Sequence, residues 1–111
     1  ITITSETTIA ELKDHKIIEY KISPKEFGIS LASFEKIYAN SPQQSLMMVK
    51  EAFEGEKSAV QDMIAMNSGA ALYISRIVES INDGVELAFE LMNNGMASNK
   101  LAEYVRVSNN I

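Results

Sequence analysis

Few side chains in this sequence could carry a reaction, and each sits where a plainer role competes. His15 is the only histidine, and it falls among Lys13, Asp14 and Lys16 in a predicted turn. A general base needs an orienting partner within hydrogen-bond reach, and the pattern places none beside it, so His15 reads as solvated surface. Lys57 stands just ahead of Ser58, the predicted cap of a long apolar helix, where free amides and the helix dipole favour anions. Ser58 and Gln61 can satisfy those amides themselves through a capping box, which makes a bound phosphate the lesser expectation. Asn67 falls on that helix's expected inward stripe, with Val60, Met63, Ile64, Ala70, Ala71, Ile74, Ile77 and Val78. A buried amide must find partners, and a polar lock to neighbouring backbone is expected before a ligand-orienting role.

Glu51, Glu54, Glu56 and Asp62 are the acidic candidates for a hard cation, but such ions need oxygen ligands converging from one loop or a pair of strands. Spread along helix surfaces, these four read as a solvated face. Met47, Met48, Met63, Met66, Met92 and Met96 suit irregular core filling better than a cofactor pocket. Gly69, Ala70 and Ala71 form a small-residue patch suited to close helix packing. The five glycines are isolated, so no phosphate-cradling loop is present, and no Ser/His/Asp set or metal-spaced histidine pair occurs. The residues therefore predict no catalytic, cofactor-binding or metal-binding side chain within 1–111.

The elements that would position these groups can be read from periodicity. Ile1 and Ile3 alternate with Thr2 and Thr4, predicting a strand at the N-terminus. Ile9 to Leu12 and Ile17 to Ile22 predict a hairpin around Lys13-Asp14-His15-Lys16. After Ile22 a start signal recurs, a Ser followed three residues later by Glu, Gln or Asp, at Ser23, Ser41, Ser58 and Ser80. Pro24 and Pro42 fall at first helical positions, and Gly55 and Gly95 follow helix ends. A short turn is expected near 24–28, helices near 42–54, 59–78 and 81–94, and a last one near 98–107; residues 30–38 carry no clear signal. The expected fold is α+β, with strands in 1–22 and helices through 23–111 as a single unit.

The sequence has 111 residues, a net charge of −5 and no cysteine. That length suits one domain, and the acidic balance lacks the cations needed to displace counterions from a nucleic-acid backbone. Without cysteine there is no disulfide or thiolate chemistry, which is compatible with a reducing cytoplasm. No apolar run approaches a bilayer span, so no membrane partner is expected.

Several short motifs, taken in order, resemble the C-terminal part of the anthranilate phosphoribosyltransferase family. Ile1-Thr2-Ile3-Thr4, Thr8, Ile9 and Glu11-Leu12 resemble its strand and apolar-x-Glu-Leu segment. Ser23-Pro24-Lys25-Glu26-Phe27-Gly28 is similar to its Thr-Pro-Glu-Asp-Phe-Gly turn. Gly55-Glu56-Lys57, Asp62, Asn67 and Ala70-Ala71 resemble its Gly-Glu-Lys-Gly…Arg-Asp…Asn…Ala-Ala helix, while Gly84-Val85-Glu86 and Leu101 suit its closing helices. Departures are Gln43-Gln44-Ser45 for Glu-Asn-Ala and Gln61 for a common Arg. The resemblance implies a piece of a large α/β domain of the nucleoside phosphorylase and phosphoribosyltransferase type. It implies Mg-dependent transfer of phosphoribosyl from phosphoribosyl pyrophosphate to anthranilate, in a cytoplasmic homo-oligomer of tryptophan biosynthesis. The family's Asp-Glu metal pair and Gly-rich loop would fall ahead of Ile1, so 1–111 is expected to be inactive alone. Two alternatives are a nucleic-acid-binding homologue of the same fold and a free-standing acidic helical interaction module.

Overall fold

In the computed structural model, which describes residues 1–111, an antiparallel hairpin leads through two 3₁₀ turns into four α-helices. β1 (Thr7–Lys13) pairs with β2 (Lys16–Ile22) in a register that sets Thr7 against Ile22, Ile9 against Tyr20 and Lys13 against Lys16. Asp14 and His15 make the two-residue turn with φ of 51° and 64°. Positive φ at both positions matches the right-handed twist of the strands. Thr7, Ile9, Glu11, Tyr20 and Ile22 turn toward the helices, whereas Leu12 and Ile17 on the opposite face are about three-quarters exposed, at 75% and 74%.

Ile1 to Thr4 do not form the strand that their alternation predicts. The Thr2 hydroxyl accepts the Thr4 N–H at 3.1 Å and lies 2.9 Å from the Thr4 hydroxyl, closing the segment on itself. Local bonds of this kind compete with a ladder. The segment is still held: Ile3 is fully buried, and its carbonyl accepts the Ala32 N–H at 3.1 Å.

The first 3₁₀ turn, Pro24–Phe27, follows Ser23, whose N–H donates to the Glu26 carboxylate; the second, Phe34–Lys36, lies in the stretch without a sequence signal. The helices are α1 (Pro42–Phe53), α2 (Ala59–Ile74), α3 (Ile81–Asn93) and α4 (Met96–Ser108). Ser41, Ser58 and Ser80 cap the first three, each accepting the N–H three residues on at 3.0–3.1 Å. α1 ends on Gly55 at φ 89°, with the Glu56 N–H returning to the Glu51 carbonyl at 3.1 Å. This is the Schellman closure that glycine favours. α2 closes in the same way, four residues sooner than expected. The Ile77 N–H reaches the Leu72 carbonyl at 3.1 Å, the Arg76 N–H reaches the Tyr73 carbonyl at 3.0 Å, and Arg76 takes φ 60°. No glycine marks that end, so it is not visible in the residue types.

The core is centred where α2 meets α3. Ala65, Met66 and Gly69 on α2 are buried against Gly84, Val85, Ala88 and Met92 on α3. At the crossing the two backbones touch. A Cβ built on Gly84 would stand 2.2 Å from the Gly69 carbonyl oxygen, and one on Gly69 would stand 2.6 Å from the Val85 nitrogen. Of the methionines, Met66 and Met92 are buried and Met48 and Met63 half-buried, whereas Met47 and Met96 are exposed, so core filling holds for only part of the group.

Gly84→Ala should therefore cost about 3 kcal/mol or more, the upper range for overpacking, because the methyl meets backbone that cannot rotate away. Gly28→Ala, with open space but φ 72°, should cost about 1 kcal/mol from conformation alone. Urea denaturation of both variants checks the order; a Gly84→Ala variant as stable as Gly28→Ala would mean the helices do not cross in contact.

Candidate functional site

The most polar junction inside the molecule is built on Gln61. Instead of returning to its cap, the side chain points inward, is almost wholly buried, and donates from Nε2 to the Ala52 carbonyl at 3.1 Å and to Asn93 Oδ1 at 3.0 Å. One amide thus joins the last turn of α1, the first turn of α2 and the last residue of α3. Its partners leave no buried side-chain polar atom unsatisfied. A cleft of about 580 Å³ opens beside this junction, walled by Gly28 to Ser30, Lys57, Asp62 and Phe89. Partial burial raises the Asp62 carboxyl above its usual value, with the Lys57 charge opposing the rise. Lys57 does stand at the helix N-terminus, but a carboxylate shares its cleft and the Ser58 hydroxyl already takes the Gln61 N–H.

A second polar group ties the hairpin to α2. Tyr20 and Tyr73 both donate to the Glu11 carboxylate, at 2.8 Å to Oε1 and 2.6 Å to Oε2. The Tyr73 bond, then that of Tyr20, holds the Glu11 carboxyl below its usual range, with Lys13 adding to the effect. Burial first, and then the Glu11 bond, pushes the Tyr20 phenol up to about 12. The arrangement is a latch between strand and helix.

Of the residues singled out by type, His15 is exposed at the hairpin tip, and no three carboxylate or histidine side chains converge on one point. Asn67 departs from expectation. Its side chain is exposed, because the buried stripe of α2 runs through Gln61, Ala65, Met66 and Gly69, a different face from the one predicted. The partners are nonetheless backbone: Nδ2 donates to the Ile1 carbonyl at 2.9 Å and to the Met63 carbonyl at 3.0 Å. Gly69 is the close-packing residue of its patch, while Ala70 is half-buried and Ala71 exposed. The capping-box spacing makes Gln61 read as a cap residue, and the signal for its inward place is its four-residue spacing with Ala65 and Gly69.

Residues 1–98 match the model of the glycosyl transferase family, a/b domain. Two curated relatives are anthranilate phosphoribosyltransferases. That of Vesicomyosocius okutanii is 38% identical over 97% of this chain and 32% of its own length, and that of Acetivibrio thermocellus is 36% identical over 98% and 32%. The crystal structure of anthranilate phosphoribosyltransferase from Thermus thermophilus superposes with a TM-score of 0.84 at 27% identity, over 93% of this chain and 31% of that one. The chain spans about a third of the length of the relatives it matches.

At the Gln61 junction, Gln61→Leu should cost about 1 kcal/mol, since the Ala52 carbonyl keeps its bond from Gly55 N–H and Asn93 reaches solvent. Gln61→Glu places a carboxylate against the Ala52 carbonyl and should cost about 3 kcal/mol at neutral pH. Equal losses in urea denaturation would contradict the donor role. The Glu11 latch predicts a pH dependence with a definite sign. A carboxyl lowered in the folded state contributes stability above its unfolded value near 4.5, and this is lost as pH falls through the lower folded value. The raised Tyr20 phenol contributes below about 10 and loses that contribution as pH rises toward about 12. Tyr73→Phe should flatten the acid limb in a pH series of thermal midpoints; an unchanged acid limb would show that the bond carries no linkage.

Proposed function

The chain belongs to the glycosyl transferase family through this a/b domain, and on that premise we propose that it is the C-terminal third of an anthranilate phosphoribosyltransferase. The observation that supports this most is the likeness to enzymes of that name along nearly the whole of 1–111 at 36–38% identity. In the proposed reaction the amino nitrogen of anthranilate attacks the ribose C1 of phosphoribosyl pyrophosphate. The bond from C1 to the pyrophosphate oxygen breaks, and the nitrogen loses a proton. Mg, when bound, would neutralise charge on the pyrophosphate. No three carboxylate or histidine side chains converge within 1–111. That the ion's ligands lie in polypeptide ahead of Ile1 is part of the proposal and rests on the family resemblance.

Residues 1–111 then act as one structural unit of the large domain. Their polar groups are spent on fixing elements: Gln61 on three helices, Glu11 on hairpin and α2, and Asn67 on the chain at Ile1. The net charge of −5 argues against nucleic acid as a partner, and no helix is long and apolar enough to cross a membrane. A cytoplasmic homo-oligomer acting in tryptophan biosynthesis completes the proposal; exposed Tyr104 and Val105 on α4 give it apolar surface for assembly.

The test pairs the full-length protein with residues 1–111. The full-length protein should consume anthranilate and release pyrophosphate when supplied with phosphoribosyl pyrophosphate and Mg. In calorimetry, 1–111 alone should bind neither. A full-length protein without turnover would overturn the proposal, as would micromolar binding by 1–111 that a substitution within it abolishes.

A further inference from the structure

The cleft of about 580 Å³ beside the Gln61 junction holds two opposite charges that do not pair. Lys57 lines it just ahead of α2, and the half-buried Asp62 lines it from the first turn of that helix. The Lys57 charge is felt at Asp62, where it opposes the rise that burial imposes on the carboxyl. The two nevertheless form no ion pair, since Lys100 with Glu103 is the only one in the chain. A free anion drawn to Lys57 would meet the Asp62 carboxylate, and a free cation drawn to Asp62 would meet Lys57.

The third group is the Gln61 oxygen. Gln61 Nε2 faces the Ala52 carbonyl at 3.1 Å, and a backbone acceptor fixes which end of the amide carries the hydrogens. Oε1 is therefore the other end, and nothing in the chain donates to it: both bonds of the side chain run from Nε2. Gln61 is only 1% exposed, yet no fully enclosed side-chain polar atom lacks a bond, so this oxygen meets the cleft that Gln61 lines. An amide oxygen with so little access to water calls for a donor from whatever occupies the cleft. The apolar part of the wall is the half-buried ring of Phe89 on α3 and the buried Ile29 from the loop after the first 3₁₀ turn.

We propose that this cleft binds a free α-amino acid with an apolar side chain, its ammonium between the Asp62 carboxylate and Gln61 Oε1, its carboxylate toward Lys57, and its side chain against Phe89 and Ile29. A zwitterion carries both charges on one small molecule, so it matches Lys57 and Asp62 together where a single charge matches one and opposes the other. Its ammonium also supplies the hydrogen that Gln61 Oε1 lacks. Each of these bonds is charge-assisted and belongs to the stronger kind. The dipole at the amino end of α2 favours the carboxylate on the Lys57 side. The inference stands on residues within 1–111 and does not depend on the phosphoribosyl-transfer proposal.

The test titrates L-leucine, L-methionine and L-phenylalanine into the full-length protein and follows binding by ligand-detected NMR. At least one should bind with a dissociation constant on the order of 1 mM or tighter. The amine left by removing its carboxylate, and the acid left by removing its ammonium, should each bind at least about tenfold more weakly, the worth of one charge-assisted bond. Asp62→Asn and Lys57→Gln should each weaken binding of the intact amino acid by about tenfold while thermal midpoints stay within a few degrees of wild type. Gln61 itself is left unchanged, because its other bonds hold three helices. No binding by any of the three amino acids would overturn the inference. So would an amine or acid that binds as well as its parent, or binding that neither substitution weakens.

Discussion

Where α2 crosses α3, no side chain separates the backbones at Gly69 and Gly84. A methyl at either glycine would collide with main-chain atoms of the other helix, so the contact fixes both the distance and the rotation of the pair. That rotation decides which residues of α2 are buried. With Gly69 on the contact, Ala65 and Gln61, one and two turns earlier, share its side. Gln61 is thereby carried into the interior beside the ends of α1 and α3. Asn67 is carried out to the surface, within reach of the Ile1 carbonyl.

The interior is thus built in two ways. α2 and α3 pack by shape, through small residues and dispersion at close range. The other elements add to their apolar contacts single polar side chains that reach across: Gln61 to the Ala52 carbonyl of α1, Ser98 of α4 to the Phe53 carbonyl at 2.9 Å, and Tyr73 to the Glu11 carboxylate of the hairpin. Bonds of this kind contribute about 1 kcal/mol each and depend on geometry more than on area. The hairpin's outer face and the later half of α4 expose apolar side chains, so these two elements are the least supported by the chain's own core.

Much of this was legible in the residues. Serine caps at 41, 58 and 80, proline at 24 and 42, and glycine at 55 marked the helix starts and one end because each meets a local backbone need. The hairpin was visible because its turn residues and alternation agree. The face of α2 was not. Apolar or small residues occupy most positions around that helix, so periodicity could not choose a side, and the choice came from the partner helix. Nor was its end visible, because Arg76 rather than glycine takes the left-handed conformation. Ile1 to Thr4 misled for a different reason: the Thr2 and Thr4 hydroxyls bond locally where alternation alone predicts a ladder. The polar groups that join elements were the hardest to foresee. Gln61 has a cap-compatible position, and only its spacing with Ala65 and Gly69 hints at the interior. Family resemblance supplied the fold and the reaction to be tested, and it could not supply these contacts.

Native-state hydrogen exchange tests the organising role of the α2–α3 crossing most directly, because it ranks every amide by the free energy of the opening that exposes it. The slowest amides should lie in α2 and α3 around Gly69 and Val85. The Ala32 amide that bonds Ile3 should follow, and β1, β2 and the second half of α4 should exchange fastest. A hairpin protected as strongly as the crossing, or an α2 that opens before it, would contradict the account, since either result would place the stable centre of the fold outside the contact between Gly69 and Gly84.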